Sequence, residues 1–64
     1  MKLKQARERA GITQEELAIR SKRSISMIRS IEAGRRDGSM ATLIALANAL
    51  NTTPNVLLYG ADIK

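Results

Sequence analysis

The most constraining feature of this sequence is the close spacing of residues that start and stop helices. Hydroxyl side chains that can accept hydrogen bonds from a helix N-terminus recur at Thr13, Ser24, Ser39 and Thr53. Glycine, which readily adopts the left-handed conformation that ends a helix, follows helix-forming stretches at Gly11, Gly34 and Gly60. A chain with these signals forms short helices that are separated by connections of a few residues.

The signals predict five helices, at residues 2–10, 14–21, 25–33, 40–50 and 54–59. Thr13 and Glu16 form a capping-box pattern at the start of the second helix, with Thr at the N-cap and Glu at the third helical position. Asn51 suits a left-handed position after the fourth helix, and Pro54 suits the first position of the fifth. No segment shows the alternation of apolar and polar residues that is typical of a β-strand, so the predicted fold class is all-α.

Composition limits the size and the chemistry of this protein. Its 64 residues are enough for one domain, predicted to span residues 1–64. The sequence has one Tyr, no Phe and no Trp, so the core must consist of aliphatic side chains and Met. Cys and His are absent, which removes disulfides and the commonest metal ligands. No apolar run approaches the roughly 20 residues that span a bilayer, and no signal-peptide pattern opens the sequence. We therefore expect a soluble, cytoplasmic protein.

The charge balance favours a polyanionic partner. Eleven Lys and Arg residues against six Asp and Glu give a formal net charge of +5. Six cations fall between residues 20 and 36, at Arg20, Lys22, Arg23, Arg29, Arg35 and Arg36, and Glu32 is the only nearby acid before Asp37. Such clustering is typical of a surface that binds nucleic acid.

Three sequence blocks, in a fixed order, resemble the Cro and phage-repressor-like (XRE) family of helix-turn-helix proteins. They are GITQEELA at 11–18, Ile28 followed by IEAG at 31–34, and SxxTLxxLAxAL at 39–50. The resemblance extends from Leu3 to Tyr59. It implies a compact five-helix, lambda-repressor-like domain with the helix-turn-helix at about 13–33. It also implies a nucleoid-associated regulator in a prokaryotic cell or a phage-infected host.

The resemblance assigns two kinds of supporting role. Arg7 and Glu32 match a structural ion pair, in which the loss of one partner strands the other charge. The residues that match phosphate-backbone contacts are Thr13, Gln14, Arg23, Arg35 and Arg36. For Gln14 a helix N-terminus supplies further free N–H groups, although a solvated first-turn side chain is the alternative. For Arg35 and Arg36 the alternative is a solvated loop.

The third helix is the predicted recognition helix, and the resemblance points to positions 25, 26, 29 and 30 for base contacts. At about 100° per residue, Ser26, Arg29 and Ser30 share one face. Ile28 and Ile31 lie on the opposite side. Arg29 could bind guanine or could contact phosphate. Ile25 lies at the border of the face, where contact with a thymine methyl group and packing in the core are both open.

The turn between the second and third helices departs from the family pattern. Lys22 stands where Gly is usual, and a non-glycine residue in the left-handed conformation costs on the order of 1 kcal/mol. Arg23 stands where an apolar residue is usual. The sequence therefore predicts a wider turn, with Ile19 or Ile25 filling the gap.

The segment at about 53–64 is more apolar than one short helix can bury. Leu57 and Leu58 are expected to cover the fourth helix. Val56, Tyr59 and Ile63 are left as a predicted homodimer interface. A dimer would read two half-sites of a palindromic operator about 34 Å apart, whereas the alternative is a loosely ordered tail.

The leading prediction is a sequence-specific regulator of transcription, a repressor that acts as a dimer on double-stranded DNA. The alternatives are a protein-interaction module of the same fold that does not bind DNA, and an antitoxin or restriction-controller protein. No nucleophile has a base at a plausible spacing, so we expect no enzyme and no catalytic residues. No cofactor, metal, small-molecule ligand or membrane contact is expected.

Overall fold

The computed structural model describes residues 1–60. Within this range the chain forms five α-helices and no strand, in the order α1 (Leu3–Arg9), α2 (Gln14–Ser21), α3 (Ile25–Glu32), α4 (Met40–Ala49) and α5 (Pro54–Tyr59). The all-α prediction is confirmed, and each predicted helix end lies within one residue of the observed one. No helix of the described residues is both long and apolar enough to cross a membrane.

Four of the five helices begin at a side-chain cap. Thr13 and Glu16 form the full capping box: the hydroxyl of Thr13 accepts from the Glu16 backbone N–H at 3.0 Å, and Glu16 Oε1 accepts from the Thr13 N–H at 3.4 Å. Ser24, Ser39 and Thr53 each accept a backbone N–H from three residues further on. These caps satisfy backbone donors that a helix leaves without an internal partner, so the helix starts follow from the local sequence.

The turn between α2 and α3 is tight, and the prediction of a wider turn was wrong. Only residues 22–24 separate the two helices. Lys22 adopts the left-handed conformation (φ 57°, ψ 38°), which lets the backbone N–H of Arg23 reach back to the carbonyl of Ala18 at 3.2 Å. Ile19 fills no gap, because 78% of it is exposed. The backbone closes the turn without the usual glycine.

The core is one aliphatic cluster to which all five helices contribute. Its buried members are Leu3, Ile12, Leu17, Ile28, Ile31, Leu46, Ala47 and Leu57. The only aromatic residue, Tyr59, is 63% exposed and takes no part. Because side chains of this size each contribute about 1.5–3 kcal/mol on burial, most of the stability comes from these few residues.

Helix α1 links α3 to the last helix of the described chain. It packs against both α3 and α5, while α2 packs against α3 and α4, and α4 against α5. The backbone N–H of Lys2 donates to the carbonyl of Leu57 at 2.6 Å. Helix α2 therefore rests on α4 and helix α3 rests on α1, while α5 contacts both α1 and α4.

Candidate nucleic-acid interface

Two capped helices joined by a three-residue turn hold the candidate site. Leu17 on α2 and Ile28 on α3 are completely buried, and Ile31 is 3% exposed. Ala18 is partly buried and packs against the same cluster. With these anchors on the inner side, the orientation of α3 relative to α2 is fixed by packing, and the opposite face of α3 is turned outward.

The outward face of α3 carries the polar residues that were predicted to contact bases. Ser26 and Arg29 are exposed, and Ser30 and Ile25 are half-buried. Arg29 therefore presents a long cationic donor group beside short hydroxyl side chains. This combination can donate to and accept from base edges in a DNA groove.

The sequence left open whether Ile25 contacts DNA or packs in the core, and its burial is intermediate between the two. It is half-buried and does not belong to the core cluster, whereas Met27 packs against that cluster. Met27 also accepts a hydrogen bond at its Sδ from Thr42 Oγ1, at 3.7 Å. Part of the Ile25 side chain is thus available at the start of α3.

A bidentate ion pair joins α1 to the end of α3. Arg7 Nε donates to Glu32 Oε2 at 2.7 Å and Arg7 Nη2 donates to Glu32 Oε1 at 3.1 Å. The two side chains are only 12% and 6% exposed. Arg7 Nη1 also donates to the carbonyl of Ile12 at 2.9 Å. The hydrogen bond with Glu32, opposed by partial desolvation, raises the pKa of Arg7 above its ordinary value, so the guanidinium stays charged.

The side chain of Gln14 is not simply solvated. Its Nε2 donates to Glu32 Oε1 at 3.1 Å, and its Oε1 accepts from Arg29 Nε at 3.5 Å. Gln14 thus connects the buried ion pair to the exposed arginine of α3. Sequence reasoning missed this link, because Gln14 lies on α2 and its two partners lie on α3, and no spacing rule relates positions on different helices.

The remaining cations flank the outward face of α3. Arg35 and Arg36 are exposed in the loop after this helix, and the half-buried Arg23 lies in the turn before it. Arg23 Nη1 donates only to the adjacent carbonyl of Lys22, at 3.4 Å. Because the charge of Glu32 is already paired with Arg7, the one acid within this stretch does not offset these cations. Cations therefore outnumber acids between residues 20 and 37.

The residues predicted for a dimer interface are partly accessible. Tyr59 is 63% exposed and Val56 is half-buried, while Ile63 lies outside the described residues. Leu57 is completely buried and Leu58 is half-buried. Val56 also lines an open groove of about 330 Å³ between α1, the end of α4 and α5.

The acidic side chains of residues 1–60 do not meet the requirements of a metal site. No group of three or more acidic side chains in that range could hold a metal ion. The exposed pair Glu16 and Arg20, 3.7 Å apart at one turn of α2, is an ordinary surface contact. The outward face of α3 is the best-supported candidate surface.

Comparison with known proteins agrees with this geometry. The sequence model of the family described as "Helix-turn-helix domain" matches residues 1–58. The match covers all of α1 to α4 and most of α5, and it is consistent with the resemblance to Cro and phage-repressor-like proteins. Neither a curated protein nor a solved structure gives a significant match to the chain.

Proposed function

Because the chain belongs to the helix-turn-helix domain family, we propose that it represses transcription by binding a palindromic DNA operator as a homodimer. In this proposal α3 lies in the major groove of double-stranded DNA. Ile25, Ser26, Arg29 and Ser30 face the base edges. Thr13, Gln14, Arg23, Arg35 and Arg36 contact the phosphate backbone.

The observation that carries the proposal is the division of α3 into two faces. Ile28 and Ile31 are buried on one side, while Ser26 and Arg29 are exposed on the other. A helix held in this way presents a fixed set of donors and acceptors, as base reading requires. The cations at both ends of α3 supply the backbone attraction that base contacts alone do not give.

Dimerisation follows from the limited reach of one recognition helix. A single helix reads only a few base pairs, and two copies related by a dyad read half-sites about 34 Å apart. Tyr59 and Val56 on α5 are the described residues that we assign to the contact between copies. Repression would be steric, since a bound dimer excludes other proteins from the operator.

The proposal is tested by selecting DNA from a random-sequence duplex pool at low and high salt. We expect binding that weakens steeply with salt and a selected motif with dyad symmetry. Failure to bind at low salt would refute the DNA-binding function and favour a protein-interaction module. A selected motif without dyad symmetry would refute the dimer.

Matched variants then separate base readers from backbone contacts. Arg29→Ala is expected to relax the sequence preference at one base pair, at a cost of about 1–3 kcal/mol in discrimination. Arg35→Ala, a control that removes a cation from the adjacent loop, is expected to weaken all sequences about equally. If Arg29→Ala behaves as Arg35→Ala does, Arg29 is a phosphate contact.

A further inference from the structure

We propose that Gln14 is a positioning residue for base reading: it holds the guanidinium of Arg29 in a preset orientation, and the Arg7–Glu32 ion pair sets the orientation of Gln14. This inference rests on the proposed function, since it concerns how Arg29 meets a base pair. It assigns to Gln14 a contribution to sequence preference, in addition to the phosphate contact implied by its place at the start of α2.

The argument begins with the polarity of the amide group. A glutamine side chain donates through its nitrogen and accepts through its oxygen, whereas an ionised carboxylate only accepts. Glu32 therefore requires the nitrogen of Gln14 on its side, and they lie 3.1 Å apart. The oxygen of Gln14 is then turned toward α3, where Arg29 Nε donates to it at 3.5 Å.

Glu32, at the inner end of this chain of contacts, is held by several hydrogen bonds. Glu32 is 6% exposed and accepts two hydrogen bonds from Arg7. Arg7 in turn donates to the carbonyl of Ile12, so its guanidinium is held by α3 and by the segment before α2. A long exposed side chain such as Arg29 has many rotamers, and fixing one of them before binding reduces the entropy lost in the complex.

The contact leaves the useful atoms of Arg29 available. Gln14 engages only Nε, while the two terminal nitrogens remain able to donate together to the O6 and N7 atoms of guanine. The Gln14 nitrogen carries two hydrogens, of which Glu32 takes one. The second can reach a phosphate, so backbone contact and positioning are compatible in one side chain.

The test compares discrimination, defined as the dissociation constant for a duplex changed only at the base pair that Arg29 reads, divided by the dissociation constant for the selected operator. Gln14→Met keeps the length of the side chain and removes both hydrogen bonds. We expect it to lower this ratio by about two- to fivefold, which is the lower part of the range for one ordinary hydrogen bond, because the contact with Arg29 is long and exposed. In an Arg29→Ala background the same change should leave the ratio unaltered.

Two further variants serve as controls. Gln14→Ala, which favours the helix, should give the same loss of discrimination if Gln14→Met folds poorly. Arg35→Ala should lower affinity for both duplexes equally and leave their ratio unchanged. Loss of affinity in Gln14→Met without any change in the ratio would overturn the positioning role and leave Gln14 as a phosphate contact only.

A measurement without DNA examines the contact itself. In the wild-type protein, NMR relaxation of the Arg29 Nε–H group should show a more ordered side chain than that of the exposed Arg36. Gln14→Met should remove the difference. Equal mobility of Arg29 in both proteins would overturn the positioning role. If the wild-type protein bound no DNA, the proposed function would fail even with an ordered Arg29, so the two failures are distinguishable.

Discussion

Replacing Glu32 by leucine should destabilise the protein far more than the loss of one surface charge. The carboxylate of Glu32 accepts two hydrogen bonds from Arg7 and one from Gln14. In Glu32→Leu the guanidinium of Arg7 keeps only its bond to the carbonyl of Ile12, in a site where its side chain was 12% exposed. The main cost is therefore a buried cation without its counter-ion.

The structure sets the size of the effect. Removing one partner of a fully buried ion pair costs about 3–5 kcal/mol, and slight access to water reduces this to about 2–4 kcal/mol here. At about 0.05–0.15 kcal/mol per residue, a chain of 64 residues has a total stability of roughly 3–10 kcal/mol. Glu32→Leu should consequently lose a large fraction of its unfolding free energy.

Urea unfolding followed by circular dichroism measures this cost for Arg7→Met, for Glu32→Leu and for the double variant. The double variant should be more stable than the sum of the two single losses implies, by about 1 kcal/mol or more, because it strands no charge. Arg20→Gln is the control, since its ion pair with Glu16 is about half exposed and should contribute less than about 0.5 kcal/mol. The reasoning would be refuted if Glu32→Leu lost no more unfolding free energy than this control. It would also be refuted if the loss in the double variant equalled the sum of the two single losses.

Three other predictions concern the turn, the basic loop and the surface of α2. Lys22→Gly should raise the unfolding free energy by about 1 kcal/mol, and Asn51→Gly by less, because Asn tolerates the left-handed conformation; urea unfolding of both variants checks this. The double variant Arg35→Gln/Arg36→Gln should reduce the slope of log K against log salt by about 1.8 without altering the selected motif, as measured by fluorescence anisotropy. Ile19→Ser should change the unfolding free energy by less than about 0.5 kcal/mol, since Ile19 is 78% exposed; a larger loss in thermal unfolding would show that Ile19 packs against the core.

The helices could be predicted because their starts are encoded over three or four residues. Thr13 and Glu16 need only each other to form the capping box, and Ser24, Ser39 and Thr53 cap backbone groups three positions away. The apolar residues that repeat at helical spacing then determine which face is buried. Local chemistry and hydrophobic pattern were sufficient for the helices and the all-α class, whereas the helix-turn-helix arrangement came from the resemblance to a known family.

The width of the turn and the environment of Gln14 could not be predicted in the same way. The cost of Lys22 in a left-handed conformation, about 1 kcal/mol, is small compared with the packing of α2 on α3, so the tight turn persists. Gln14 contacts residues that lie 15 and 18 positions along the chain. Such contacts depend on how the helices cross, and a single sequence does not encode that crossing locally.

The hydrogen bond from Lys2 to Leu57 bears on the order in which the protein folds. It closes a loop of about 55 residues, for which the entropic cost, (3/2)RT ln n, is about 3.5 kcal/mol. The turn between α2 and α3 closes a far shorter loop, so we expect these helices to associate first and α1 to dock late. Arg7 and Glu32 are only 25 positions apart, so their ion pair needs α1 to dock on α3 and does not depend on α5. The contact between α1 and α5 would then be the last of these to form.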